Sequence, residues 1–260
     1  MELITYEYLY GVCRITLNAP ARLNALSDAM ISTLHTGLDN IANDPTVKVV
    51  IIKGAGKAFC AGHDLKEMQA KRTNSDGGAA AFKDLFDKCA SMMVRIQSLP
   101  QPVIAQVHGI ATAAGCQLVA TCDLAVAEID TKFGVNGVNI GLFCSTPMVA
   151  LTRNIGRKAA FEMLTTGRFI SATEAKTLGL INSVSSADNL ADETFSLAQS
   201  IASKLASAIT KGKSAFYAQA QMSTADAYSY TGQVMVDNMA NADTNEGISA
   251  FLEKRDPDWC

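Results

Sequence analysis

Two stretches of the chain carry residues whose types and spacing could do chemistry. In FCAGHDLKEM (residues 59–68) and in HGIATAAGCQL (108–118) an apolar run gives way to small residues, and a helical pattern then opens. The first N–H groups of a helix have no intrahelical acceptor and carry the positive end of its dipole. Residues with almost no side chain let another group approach those donors. Taken singly, each junction is accounted for by tight packing. Two such turns facing each other would aim a pair of backbone N–H groups at one point, the arrangement that stabilises a carbonyl oxygen gaining negative charge. The second stretch also holds Gln117, an amide that can orient a water or a polar group without acting as a base.

Other groups could act beside these turns. His63 follows Gly62 and titrates in the range a general base needs. His108, at a strand end, reads as a structural hydrogen-bonding residue. Cys144 and Ser145, in GLFCSTP, would supply a nucleophile only if a cation or a helix start lowered the thiol's pKa. No partner base is visible there, and packing accounts for the thiol. Asn136 and Asn139 could hydrogen-bond a ligand, although asparagine in a turn needs no such explanation. Seven cysteines, at 13, 60, 89, 116, 122, 144 and 260, sit in apolar runs and read as reduced core residues. With three histidines and no Cys/His ligand spacing, no metal site is expected.

The elements that must position these groups follow from the patterning. Residues 2–18 read as a β-hairpin, and Ser27 as the N-cap of a helix to about Ile41 with apolar positions 30, 31, 34, 38 and 41. VKVVIIKGAG is a β-branched strand buried on both faces, and QPVIAQVHG is another. The reading expects a short helix after FCAGHD, a flexible stretch at 72–80 and helices at 80–98 and 114–121. It then expects a strand at 122–127 and irregular chain through TKFGVNGVNIGLFCSTP. Helices at 147–153, 157–165 and 171–178, a short strand in GLINSVS, and a helical region from about 188 to 252 broken near 222–223 complete it. Strands alternating with helices indicate an α/β domain with right-handed crossovers.

Composition bounds the function. With 260 residues, 48% hydrophobic and 18% charged, the chain buries a substantial core and is neither disordered nor fibrous. A net charge of −3 with scattered Lys and Arg gives no field for nucleic acid. MELITYEYLYGVCRITLN alternates like a strand, unlike a signal peptide, and no apolar run is long enough to cross a bilayer. The expectation is a soluble protein of a reducing compartment, cytoplasmic or in the mitochondrial matrix, without membrane association.

The motifs LNAPARLNALS, VVIIKGAGKAFCAGHDLKEM, PVIAQVHGIATAAGCQLVATCDLAVA, FGVNGVNIGL, LTTGRFISATEAKTLGLINSV and EGISAFLEKRDPDW resemble, collinearly, the crotonase superfamily, also called the enoyl-CoA hydratase/isomerase family. Within it, GHDLKEM, AAGCQLVATCD and VNIGLFCSTP are similar to the branch called enoyl-CoA hydratase domain-containing type 3. The resemblance implies an α/β crotonase (ClpP-like) fold. Its core of repeated ββα units, residues 1–190, would hold a CoA-thioester site, and a C-terminal helical region, 191–260, would pack over that site and build a homotrimer or a dimer of trimers. It implies an acyl-CoA or enoyl-CoA ligand, with coenzyme A as part of the substrate and no separate cofactor. The two oxyanion-hole N–H groups would come from Ala61 and Ala114. The CoA nucleotide would lie against Ala61, Gly62, His63 and Asp64 and near Arg22, with Lys254 reaching it.

The chain departs from the family where protons move. Hydratases of the family carry a glutamate after Gly-Cys and a second one ending a Phe-Gly-X-Pro-Glu run; this chain has Gln117 and Gly137 at those positions. General acid–base groups contribute roughly 10²–10⁴-fold each, so hydration should be very slow while thioester polarisation survives. Three readings follow. The chain could catalyse a reaction that needs mainly enolate stabilisation, such as decarboxylation. It could be a non-catalytic acyl-CoA sensor or scaffold. Or it could be a hydratase or isomerase with displaced acids such as Glu67, Glu128 or Asp130. His63, with Cys144 and Ser145 where some relatives place an acid, are the further candidates for chemistry. Gln117→Glu combined with Gly137→Glu is expected to raise hydration.

Overall fold

The computed structural model describes residues 2–259. The alternating N-terminus forms an antiparallel hairpin of β1 (Ile4–Leu9) and β2 (Val12–Leu17), turned through Tyr10 and Gly11 at φ +48° and +76°. Helix α1 (Asp28–Ala42) starts where Ser27 accepts the Met30 N–H at 3.1 Å and buries Met30, Ile31, Leu34, Leu38 and Ile41. That is the stripe its spacing predicted. Strand β3 (Val49–Gly54) then joins β2 in parallel. Helices α2 (Leu65–Lys71) and α3 (Ala79–Ser98) lead to β4 (Val103–Val107), parallel to β3.

Next come β5 (Ile110–Thr112), α4 (Ala114–Thr121), β6 (Leu124–Glu128) and β7 (Lys132–Gly134). Helices α5 (Ser145–Asn154) and α6 (Arg157–Thr166), strand β8 (Phe169–Ser171), helix α7 (Ala172–Leu178) and strand β9 (Ser183–Ser185) follow. The chain closes with α8 (Leu190–Ala202), α9 (Ala206–Gln219), α10 (Thr224–Met239) and α11 (Ala242–Glu253). A six-stranded sheet runs in the order β1-β2-β3-β4-β6-β9, and a three-stranded sheet in the order β5-β7-β8. The pairs β4–β5 and β6–β7 thus split, the first strand of each staying in the large sheet and the second leaving for the small one.

Side-chain alternation gives the large sheet two buried faces. Val50, Ile52, Ala105 and Val107 enter the main core with α1 and α3, whereas Val49, Ile51, Ile104 and Val126 meet Leu190, Ala198 and Ala202 of α8. Helix α8 is therefore part of the core, because a parallel sheet needs cover on its second face. The core thus takes in residues of α8 up to Ala202, beyond the 190/191 division expected from the sequence.

Other expectations change as well. Strands β5, β7 and β8 occupy stretches read as junction or irregular chain; at three residues each they show no periodicity and exist through their pairing. A 3₁₀ turn, Asn136–Ile140, follows β7. The stretch expected to be flexible is a hydrogen-bonded turn, in which the Asp76 carboxylate accepts the Gly78 and Ala80 N–H groups at 2.9 Å each. The C-terminal helices break at 203–205 and 240–241 as well as near 222. Among the described residues no helix is long and apolar enough to cross a membrane.

Candidate functional site

The two small-residue turns are built against each other. Cys60 pairs with strand β5: its N–H donates to the Ile110 carbonyl at 3.1 Å, and its carbonyl accepts the Thr112 N–H at 3.0 Å. Strand β5 then runs straight into α4. Gly115, in the first turn of α4, rests on the first turn so closely that a Cβ there would lie 2.1 Å from the Cys60 carbonyl oxygen. Gly62, at φ +91°, faces the junction from the other side. A Cβ on it would lie 3.0 Å from Ala113 Cβ and 3.3 Å from the Ala114 nitrogen. Glycine is required at both positions for steric reasons.

Between them Ala113 has φ +49° and ψ −119°, a conformation an L-residue adopts only under constraint. Its N–H donates to the Gly134 carbonyl at 2.9 Å and its carbonyl accepts the Gln117 N–H at 3.0 Å. The peptide that follows carries the Ala114 N–H, the first donor of α4, which has no acceptor among the described residues.

The partner donor is not the expected one. Ala61 donates its N–H to the Leu23 carbonyl at 3.0 Å, so that group is already engaged. Gly62 in turn accepts the Leu26 N–H at 2.8 Å. The donor left without an acceptor on this turn is the N–H of His63. The correction originates in the loop around Leu23, which an unremarked residue holds in place. Asn24, fully buried at φ +53°, accepts the Ala19 N–H at 2.9 Å and donates to the Ala55 and Ala58 carbonyls at 2.9 and 2.8 Å. An asparagine in the left-handed region is the one signal in the sequence that could have pointed there.

A cavity of about 460 Å³ opens beside the turns. Ala61, His63 and Asp64 line it from the first turn, Arg22 from the loop before α1, Thr112 and Ala113 from the second turn, and Asn136, Gly137, Asn139 and Cys144 from the segment after β7. Met68, Phe86, Ile140 and Leu142 give it an apolar wall. Gly62, Ala114, Gln117, Ser145 and Lys254 are not among its lining residues. Gln117 is buried on α4 with no partner for its Oε1. Ser145 donates its hydroxyl to the Phe143 carbonyl at 3.4 Å, and Lys254 ends α11 at φ +58°.

The titratable groups facing the cavity are each constrained. Asp64 caps α2, its Oδ1 accepting the Lys66 and Glu67 N–H groups at 3.0 and 3.1 Å, while its Oδ2 pairs with Arg22. Both oxygens of Asp64, expected to lie against a nucleotide, thus have partners within the protein, on the turn and on Arg22. Asp64 is the one carboxylate among the lining residues. Glu67 reaches Arg22 and accepts the Asp28 N–H at 3.2 Å, and neither Glu128 nor Asp130 borders the cavity.

His63 places Nδ1 3.2 Å from the Leu26 carbonyl, which can only accept, so Nδ1 carries the proton. Its Nε2 is buried without a partner, and the ring edge meets Phe86 at 5.6 Å between centroids. Burial lowers its pKa below the usual 6.5, more than the Leu26 bond and the Asp28 charge raise it. The imidazole is neutral with its basic nitrogen closed off from water. As built, it offers its backbone N–H and withholds its basic nitrogen.

Cys144 is a thiol for the same reason: burial pushes its pKa up, and the Gly137 N–H that points to its sulfur offsets only part. Nothing in its surroundings lowers that pKa enough to favour the thiolate. At Gly137 itself a Cβ would lie 2.1 Å from the Leu142 carbonyl oxygen and 2.9 Å from Cys144 Sγ. A glutamate cannot stand there while residues 141–144 keep their path, so the expected gain of hydration from substitutions at 117 and 137 is withdrawn. Among the described residues no cluster of three or more His, Cys, Asp or Glu could hold a metal ion.

Comparison with known proteins gives the site its context. Residues 7–260 match the family model described as Enoyl-CoA hydratase/isomerase. A Xenopus laevis protein named enoyl-CoA hydratase domain-containing protein 3, mitochondrial, is 47% identical over 250 residues, which are 96% of this chain and 83% of that protein. The crystal structure of an enoyl-CoA hydratase from Mycobacterium smegmatis superposes with a TM-score of 0.96 at 50% identity, covering 100% of this chain and 99% of that one. That of human enoyl Coenzyme A hydratase domain-containing protein 3 gives 0.95 at 44% identity, covering 99% and 100%.

Proposed function

Because the chain belongs to the enoyl-CoA hydratase/isomerase family and has its crotonase fold, we propose that it binds an acyl-CoA thioester and polarises the thioester carbonyl between the N–H groups of His63 and Ala114. The observation that carries this reading is the pair of acceptor-free N–H groups on two turns held in contact by Gly62 and Gly115. A thioester oxygen between them would accept both hydrogen bonds, and each such donor typically contributes about 10²–10³ in rate once charge develops on the oxygen. Met68, Phe86 and Leu142 would receive the acyl chain. Arg22 and Lys66 would face the CoA phosphates, Arg22 by exchanging its bond to Asp64. Coenzyme A enters as part of the ligand, and no separate cofactor is invoked.

Ordinary hydration is not the reading we favour. Gln117 and Gly137 stand where relatives of the family carry glutamates, and Asp64, the only carboxylate bordering the cavity, is engaged as a cap and by Arg22. A reaction limited by enolate stabilisation, such as decarboxylation, suits the site better, and a non-catalytic acyl-CoA sensor is the second reading that the same replacements support. Exposed apolar residues on α9 to α11, among them Phe216, Met235, Val236 and Phe251, support assembly with further copies of the chain as a trimer or dimer of trimers. The mitochondrial names of relatives support a matrix location, the cytoplasm being the alternative; the six described cysteines, all unpaired, suit either compartment.

The test is calorimetric titration with butyryl-CoA beside the absorbance of crotonyl-CoA under turnover conditions. Binding with turnover far below ordinary hydratase rates is expected. Fast hydration would overturn the account of the missing acids, and absence of binding would leave only a scaffold.

A further inference from the structure

One polar group in the cavity wall has no use so far. Asn136, at the start of the 3₁₀ turn after β7, lines the cavity and is only partly buried. Its Oδ1 accepts the Thr112 hydroxyl at 2.6 Å, a separation typical of O–H···O and short for N–H···O, which settles the orientation of the amide. Nδ2 is thereby turned away from Thr112, and it has no acceptor among the described residues. Thr112 ends β5, two residues before Ala114, and its carbonyl lies 3.1 Å from where a Gly62 Cβ would be. The amide is therefore held in the cavity wall by a residue two positions before the Ala114 donor. The lining offers no free carboxylate to match it, since both Asp64 oxygens are engaged.

We propose that Asn136 is a specificity residue whose Nδ2 donates to an oxygen on the β-carbon of the bound acyl group, so that the site prefers 3-oxoacyl thioesters to plain acyl ones. This rests on the acyl-CoA reading above. The thioester oxygen occupies the two backbone donors, and a β-oxygen is the nearest further acceptor such a ligand can present. A ligand without it would cover Nδ2 and leave it unpaired, a loss that a buried donor shows as roughly tenfold in affinity. Thr112 acts through Asn136 as a positioning residue.

The experiment is a calorimetric comparison of 3-oxobutyryl-CoA with butyryl-CoA, a pair differing only at the β-carbon. The full chain should bind the former about tenfold more tightly. Asn136→Leu should abolish that preference, with butyryl-CoA binding more tightly than before because no unpaired donor is covered, and Thr112→Val should reduce it in part. Asn136→Asp, which keeps the shape and the Thr112 bond but replaces the donor by a carboxylate, should reverse the preference and serves if the leucine variant does not fold. Equal weakening of both ligands, or a preference that survives in Asn136→Leu and Asn136→Asp, would overturn the assignment. A chain that binds butyryl-CoA without favouring the 3-oxo partner sinks this inference alone. A chain that binds neither sinks the acyl-CoA reading and this one with it.

Discussion

Gly115→Ala is a purely steric probe of the proposed donor pair. The added Cβ would start 2.1 Å from the Cys60 carbonyl oxygen and 2.8 Å from its carbon, both backbone atoms that cannot swing aside. Carbon and carbonyl oxygen normally approach to about 3.3–3.6 Å, so the two turns must part by about 1 Å. Overpacking of this kind costs about 1–3 kcal/mol, against which alanine in a helix recovers about 0.5–1 kcal/mol. Stability should therefore fall by at most about 2.5 kcal/mol. The functional effect should be larger. Oxyanion donors work within about 2.7–3.1 Å, and a displacement of that size removes one of the two. With butyryl-CoA labelled with ¹³C at the thioester carbon, the bound carbonyl resonance should move downfield in the unaltered protein and return most of the way toward its free position in the variant. Gly232→Ala on α10, where a Cβ meets nothing within 4 Å, is the control and should leave the resonance unmoved. If Gly115→Ala folds and shows the unaltered carbonyl shift and affinity, contact between the turns does not set the donors and the reasoning fails.

Gly137→Glu, alone or with Gln117→Glu, should lower the melting temperature and bring no gain in crotonyl-CoA hydration, since the new Cβ meets the Leu142 carbonyl at 2.1 Å; a stable double variant with hydratase activity would show that residues 141–144 yield. Lys213→Met should destabilise by about 3–5 kcal/mol in denaturant titration. It leaves the Ile96 and Gln101 carbonyls, each 2.9 Å from Nζ, without that donor, and the Asp123 carboxylate, 2.6 Å from Nζ, with the Val103 N–H and the Tyr217 hydroxyl but no cation; adding Asp123→Asn should recover part of the loss. Burial pushes the thiols of Cys60, Cys89 and Cys116 up to about 12 from the ordinary 9.0, so above pH 9.0 the folded chain holds protons that the unfolded chain has released. Stability is then full below pH 9.0 and falls as pH rises toward 12. The slope is at most about 1.4 kcal/mol per pH unit for each thiol. Unfolding curves under reducing conditions should show the fall, and Cys116→Ala should flatten it.

What the sequence makes legible is what periodicity and capping encode. Ser27 and the stripe from Met30 to Ile41 announce α1, and the β-branched run from Val49 announces a strand with two buried faces. Strands β5, β7 and β8 are not announced. Each is three residues long and gains its hydrogen bonds only when Ile110 meets Lys132 and Phe133 meets Ile170, contacts between distant parts of the chain. The same limit produced the mistaken donor. Small residues mark the turn at 60–63, but the choice between the Ala61 and His63 N–H groups is made by Leu23, whose carbonyl claims the former. That carbonyl is delivered by consecutive left-handed residues, Leu23 and Asn24, and by the buried Asn24 amide.

Ala113 bears on whether this is a scaffold or a binder. An alanine at φ +49° and ψ −119° is about 1–3 kcal/mol less stable than in an ordinary conformation. A protein kept only for its shape gains nothing from that strain, because a relaxed junction would still connect β5 to α4. The strain is held on every side: by the Gly134 carbonyl on its N–H, by the Gln117 N–H on its own carbonyl, by Gly62 closing in from the facing turn, and by Gly115, whose bare Cα lets α4 rest on Cys60. What all of these contacts fix is the direction of one peptide, the one that carries the Ala114 N–H. None of them depends on the side chain at position 117 or 137 beyond its backbone. The geometry of the donor pair is therefore independent of which side chains stand at 117 and 137. Retention of a costly backbone conformation beside acceptor-free donors argues for a ligand oxygen at that point, whatever reaction follows.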